Sequence, residues 1–294
     1  MEVTINWKRN TWGETGFNVY RHSAPMDAQN PGTQVGTAPA RATSFVDTTV
    51  VADTLYYYRV AAVYQGQEYV SDNLEVSTYQ AFNVPPTGLT GYYQADTLTG
   101  GTLVDALGSL DGTVVAGAPT LVTGVFGSAV YLDGADSIEL PAGLAPSSDY
   151  FALALWHYGV KEVSSTFFVI NDSGGNRTVN LHLPYSNDGG RVYFDCGNSG
   201  STYDRIDKVI GTAHRGWHHW VFQKDRLNGR MEIYFDGALW HSGTGKTRAI
   251  QGANQIATLN NGNHEGAFDE MAIYNRMLTT QEIAAMAAQT PPAT

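Results

Sequence analysis

A single cysteine occurs in 294 residues. One thiol excludes an intramolecular disulfide framework and a zinc site built from cysteines. Charge is also scarce, at 15% Asp, Glu, Lys and Arg, well under the roughly 25% of an average soluble domain. Cations are the scarcer sign: 17 Lys and Arg face 28 Asp and Glu, a formal net charge of −11. A protein that grips nucleic acid by its phosphates needs the opposite balance. No apolar run approaches the ~20 residues of a membrane-spanning helix. The opening MEVTINWKRN lacks the basic-then-apolar pattern of a secretory signal, so nothing in it directs classical export. Catalytic signatures are missing as well. There is no Gly-x-Ser-x-Gly elbow, no His-Glu-x-x-His zinc motif and no phosphate-cradling glycine loop with lysine.

What is abundant is turn chemistry and aromatic surface: 32 Gly, 17 Tyr and 12% aromatic residues overall. That mix favours short strands joined by turns over helical bundles. The clearest punctuation is NVPPTGLTG at 83–91. Consecutive prolines fix φ and interrupt a sheet ladder, which predicts a linker there between a domain at 1–82 and a larger one at 92–294. Both parts are acidic, with 5 Lys and Arg against 8 Asp and Glu in residues 1–82 and 12 against 20 in the rest. No basic arm is hidden in the average.

In the first part, Val3, Ile5 and Trp7 alternate on one face, as do Tyr56, Tyr58, Val60 and Ala62, the period of a half-buried strand. The segments VTINW, GFNVYR, FVDTTVVADTLYYYRVAAV and SDNLEVST resemble strands B, C, E–F and G of a fibronectin type III domain. The resemblance puts Trp7 at the core tryptophan of strand B. It puts Tyr56 at the tyrosine corner, whose hydroxyl bonds to nearby backbone. It also implies that strand A is missing and that a sheet edge stands open.

In the second part, six pairs signal tight turns: Asp111-Gly112, Asp133-Gly134, Asp188-Gly189, Asn228-Gly229, Asp236-Gly237 and Asn261-Gly262. Residues 230–235 and 238–241 form the best predicted hairpin. Thr279 and Glu282 make a capping box ahead of IAAMAA, predicting one late helix. The fold class is therefore all-β, with two sheets packed as a jelly roll. GVFGSAVYLDGADSIELP, FALALWHY, GWHHWVFQKDRLNGRMEIYFDGALW and GAFDEMAIYNRMLTTQEIAAM, in that order, resemble a laminin G-like, concanavalin A-like domain. That resemblance implies a fold but not a ligand, because the fold hosts many unrelated sites.

Some glycanases with this sandwich place acids on one strand as Glu-x-Asp-x-x-Glu. None of the 10 Glu residues is followed by Asp two positions on, and Asp269-Glu270 would point to opposite faces of a strand. No catalytic residue is assigned. His218 and His219, neighbours on a strand, cannot share one ion for the same reason. Cys196 reads as a small buried hydrophobe. Relatives of the laminin G-like type often hold structural Ca²⁺ with loop carboxylates. The resemblance points to Asp105 and Asp269 for such a site, with Asp133 and Asp136 as weaker candidates; turn capping by Asp is the alternative.

The most distinctive stretch is polar and aromatic together. Leu181 and Leu183 face one way and His182 the other. Arg191, Tyr193 and Asp195 share a face opposite Val192 and Phe194. Brought together, His182, Tyr193, Asp195, Tyr203, Asp204 and Arg205 form a candidate sugar-binding patch. Rings stack on apolar sugar faces, and carboxylates and guanidinium groups read hydroxyls. The alternative is a solvated sheet face with cross-strand pairs.

The two modules together resemble bacteriophage virion surface or appendage proteins. That implies a non-catalytic fibre, appendage or decoration protein, oligomeric in its assembly. Its first domain would contact other virion proteins and its jelly roll host-surface glycans. A carbohydrate-binding accessory fragment of a secreted glycoside hydrolase, and a purely structural cement protein, are the alternatives. Nucleic acid and membrane insertion are not expected.

Overall fold

The structure is a computed structural model, and it describes residues 2–9, 13–51, 54–77, 82–144, 149–162, 164–186, 189–199, 202–250, 256–261 and 263–289. The chain divides into two compact units, one within Met1–Ala81 and one spanning Phe82–Thr290.

In the first unit, Gly16–His22 pairs with both Thr33–Pro39 and Leu55–Tyr64. Gln67–Val70 and Leu74–Ser77 add to Leu55–Tyr64, giving five strands. Val3–Asn6 and Ser44–Asp47 form a separate two-stranded sheet. Alternation places Ile5, Val19, Tyr56 and Tyr58 in one buried cluster, with Trp7 and Phe45 against it. Asp47 is buried there and accepts hydrogen bonds from Arg21 and the Tyr58 hydroxyl. The Tyr56 hydroxyl accepts the Val51 N–H at 3.1 Å.

The second unit is a sandwich of two antiparallel sheets. One has nine strands, in the order Thr202–Val209, Arg191–Ser199, Arg177–Tyr185, Thr166–Asn171, Ile256–Asn261, Ser137–Leu140, Gly112–Ala116, Thr102–Leu103 and Leu98–Thr99. The other has eight. Seven run in the order Thr120–Thr123, Ser128–Asp133, Glu265–Tyr274, Tyr150–Gly159, Gly216–Asp225, Arg230–Phe235 and Ala238–Gly243. The eighth, Leu89–Tyr93, also pairs with Glu265–Tyr274, so the end of the Pro-Pro segment is part of this unit. Asn83 is tied to Gln289 by two hydrogen bonds, of 2.7 and 3.0 Å.

The Asp236-Gly237 pair turns the expected hairpin, with φ of 49° and 80°, both positive as a type I′ turn requires. Asp111-Gly112 does not turn. A strand begins at Gly112, where a Cβ would come within 2.8 Å of Leu140, so glycine is there for packing. Asp188-Gly189 and Asn261-Gly262 extend beyond the described residues. The helix Thr280–Ala287 starts on the capping box: Glu282 N donates to Thr279 Oγ1 and Thr279 N donates to Glu282 Oε2.

Strand alternation sorts the interior into two layers. Phe151, Leu153, Leu155, Trp220, Phe222, Met271 and Ile273 point between the sheets. Ala152, Ala154, Trp156, Val221, Tyr234 and Tyr274 point the other way, against Phe82, Phe126 and the helix residues Ile283 and Met286. The middle of the outer face of the eight-stranded sheet is therefore covered, each large buried apolar side chain contributing ~1.5–3 kcal/mol, while Tyr158 and Leu239 toward its margins stay exposed. The outer face of the nine-stranded sheet is polar, and Thr113, Glu139, Tyr193, Arg205 and Asp207 reach water there.

Candidate functional site

The edge of the open face is built by Arg177–Tyr185, Arg191–Ser199 and Thr202–Val209. Val179, Leu181, Leu183, Val192, Phe194 and Ile206 hold these strands to the core, which turns the intervening residues outward. Register places His182 opposite Tyr193, Asn180 opposite Asp195, and Asp195 opposite Arg205.

Arg205 is the organising group. Its Nε and Nη2 donate to the two oxygens of Asp195 at 2.5 and 2.7 Å. Its guanidinium lies over the ring of Tyr193 at 4.7 Å and of Tyr203 at 4.6 Å. A bidentate fork with two ring contacts fixes a side chain that would otherwise be free to rotate. Asp195 holds the Arg205 pKa above its ordinary value.

Beside it, His182, Tyr185 and Tyr193 form a trio of edge-on rings, with centroids 5.0, 5.7 and 6.0 Å apart. His182 Nδ1 bonds to the Ser165 carbonyl, so it carries the proton, and Asn180 Nδ2 donates to Nε2 at 2.9 Å. Burial lowers the His182 pKa. The ring is thus neutral with both nitrogens used, and it offers shape rather than charge. Arg177, His182, Tyr185, Tyr193 and Arg205 together line a cavity of about 320 Å³.

Five of the six expected patch residues meet here. Asp204 does not, because alternation turns it inward between Tyr203 and Arg205. It accepts from Lys224 Nζ at 2.9 Å and from Arg248 N at 2.8 Å. Lys224 is itself fully buried, so this pair ties the site-bearing strand to the opposite sheet. Two lining residues were not expected. Tyr185 reaches the outer face through a register shift after His182, which strict alternation does not foresee. Arg177 stands exposed at the start of its strand.

The carboxylates named for calcium serve loops. Asp105 accepts the N–H groups of Tyr92, Leu107, Ser109 and Leu110. That donor set suits a carboxylate and leaves no oxygen for a cation, so Asp105 as placed does not fit calcium. Asp136 accepts from Ala118 and Asp133, and Asp133 from Ala135. Asp269 Oδ2 accepts from Val125 and Phe126, while its buried Oδ1 has no hydrogen-bond partner. Among the described residues, no group of three or more His, Cys, Asp or Glu is arranged to hold a metal.

Asp269 and Glu270 are 0% and 1% exposed, and Glu270, at φ 51°, accepts the Tyr92 hydroxyl. Burial pushes their pKa values up to about 8 and about 9. They are closed off from a polysaccharide. His219 is buried against Trp156, and burial lowers its pKa to about 3, whereas His218 pairs with Asp236. The Cys196 thiol is buried and pushed up to about 12.

Comparison with curated proteins found no match. Among solved structures, the chain is similar to domain 4 of AbnA, a GH43 extracellular arabinanase from Geobacillus stearothermophilus, in complex with arabinotriose. That likeness has 24% identity and a TM-score of 0.55, over 68% of this chain and 98% of that one. It is also similar to the receptor-binding domain of a botulinum neurotoxin C/D mosaic serotype, at 15% identity and a TM-score of 0.54, over 68% of this chain. A botulinum neurotoxin type C structure, described as entering cells through interaction with two ganglioside molecules, matches at 16% and 0.53. This chain spans about half the length of those toxin chains, 51% and 50%. At these identities the likenesses are of fold. No helix among the described residues is long and apolar enough to cross a membrane. Residues 132–284 match the family described as the concanavalin A-like lectin/glucanases superfamily, and the chain belongs to it.

Proposed function

We propose that the second unit is a non-catalytic glycan-binding domain of an extracellular protein, and that its site is the Tyr–Arg pocket on the open sheet. The observation that carries this reading is the Arg205 guanidinium held between Tyr193 and Tyr203 beside a cavity of about 320 Å³. A fixed guanidinium and upright rings are the groups that read sugar hydroxyls and cover sugar faces. The arabinotriose complex of the arabinanase domain and the ganglioside dependence of the toxin support a sugar ligand. The closure of Asp269 and Glu270 supports a role without catalysis.

The first unit, on this reading, is a fibronectin type III-like spacer. Its support is the Trp7–Phe17 contact at 5.1 Å and the Tyr56 hydroxyl bonded to the Val51 backbone. The pairing of such a spacer with a sugar-binding jelly roll suits a virion surface protein docked through its first unit. It also suits an accessory module beside a glycoside hydrolase, and the arabinanase domain, spanned over 98% of its length, favours that second setting. Calcium has no part in the proposal, and the melting temperature is expected to be unchanged by added Ca²⁺ or by chelator.

The test is retention of the full chain on a glycan array, followed by calorimetry with the retained sugars. Saturable binding is expected, weakened at least about tenfold by Tyr193→Ala, since the large contact area of an aromatic ring is lost and about 1.4 kcal/mol is a factor of ten. Cleavage of the sugar would overturn the non-catalytic reading. Absence of any retained glycan would favour the cement role.

A further inference from the structure

We infer that the sugar taken by this pocket is anionic, its charge carried by a carboxylate or a sulfate ester. This rests on the glycan-binding reading above and sharpens it to a ligand class.

The second unit contains eight arginines, and seven of them pair with a carboxylate within 4.0 Å. Arg177 is the exception. Its side chain has neither an ion pair nor a hydrogen bond among the described residues, and it is exposed on the wall of the pocket. Among the arginines of this unit, in a chain of net charge −11, the one left without an acid stands at the site.

The donor and acceptor balance of the wall points the same way. A neutral sugar offers many hydroxyl donors and is held best where carboxylates can accept them. Both oxygens of Asp195 accept from Arg205, and the side chain is buried. Asp207, one row along the same face, is paired with Arg191 at 2.5 Å. Asp172, near the start of the Arg177 strand, is occupied by Gly174 and Asn176. Both nitrogens of His182 are used. Beside the hydroxyls of Tyr185 and Tyr193, which can both donate and accept, the charged groups that line the cavity are donors only: the guanidinium groups of Arg177 and Arg205. Donors in excess of acceptors call for a ligand rich in acceptors, and planar guanidinium groups match carboxylate and sulfate oxygens in geometry as well as in charge. The tyrosine rings then cover the apolar face of the same sugar.

The experiment uses the full chain on a panel in which each uronate oligosaccharide is paired with its methyl ester and each sulfated sugar with its unsulfated parent. The uncharged partners keep the ring and lose the charge. Binding of the charged member at least about tenfold tighter than its partner is expected, since hydrogen bonds to charged groups are roughly twice as strong as neutral ones. The preference should shrink as salt is raised, because Arg177 is exposed and screened. Which charged series binds tells carboxylate from sulfate. Arg177→Gln should collapse the charged-to-uncharged ratio toward one. Glu139→Gln, at the far end of the same sheet face, should leave it as it is.

Equal binding of charged and uncharged partners, or a ratio that Arg177→Gln does not move, would overturn the anionic ligand while leaving the sugar site standing. Failure to retain any member of the panel would remove both.

Discussion

The two sheets of the second unit turn their backs to different surroundings. The eight-stranded sheet has the middle of its outer face closed by Phe82, Phe126 and the helix residues Ile283 and Met286. The nine-stranded sheet keeps an outer face of Tyr, Arg, His and Asp that reaches water at one edge. The same strand alternation built both, and only the identity of the outward residues differs. Alanines at 152 and 154 make room for a covering layer; Arg and Tyr at 191, 193, 203 and 205 forbid one. A sandwich of this kind has one face free to bind, and its sequence chooses which.

The largest effect should come from breaking the closed side. Ile283→Ala is expected to cost about 2–5 kcal/mol in denaturant unfolding, the range for a truncated buried aliphatic. Tyr203→Ala on the open side, where the residue is 44% exposed, should cost under ~1 kcal/mol. Equal costs would mean that the faces do not differ as described.

Next in size is a pH effect peculiar to the closed side. Burial raises the Asp269 and Glu270 pKa values to about 8 and about 9, above their unfolded values near 4. The folded state then holds protons that the unfolded state has released. Their contribution is full below about pH 4 and is lost as pH rises toward 8–9. Asp269→Asn keeps an oxygen to accept from Val125 and Phe126, so its stability should fall less over that window in pH-dependent melts. A wild-type curve that rises across the window would contradict the burial of these acids.

Tyr193→Ala addresses the open side and should weaken glycan binding at least about tenfold while moving the melting temperature little. The smallest effect belongs to the helix that closes the other face. Glu282→Ala removes half of the capping box and the Arg276 pair, for about 1 kcal/mol. Arg276 holds the Glu282 pKa down to about 2, so this contribution is present above pH ~4 and lost as pH falls toward 2.

Much of this was legible in the residues themselves. Alternation in RVYFD fixed which of Arg191, Val192, Tyr193, Phe194 and Asp195 face the core, and Thr279 with Glu282 marked the helix start. The same alternation also assigns Asp204 to the inside, between two outward neighbours, where it meets Lys224. Tyr185 was not legible, because a register shift after His182 resets the period. Asp105 reads as a metal ligand by resemblance or as a turn former by residue type, and the four N–H groups that converge on it depend on loop geometry that no spacing encodes. The pairing of seven arginines, which leaves Arg177 alone, depends on contacts across strands and loops that no spacing encodes.

The most direct measurement is a crystal structure of the full chain with the most tightly retained glycan. A sugar ring seated against Tyr193, within hydrogen-bond reach of Arg205 and Arg177, is the expected result. A glycan bound instead on the eight-stranded sheet or beside Asp269, or recovered as cleaved fragments, would contradict it.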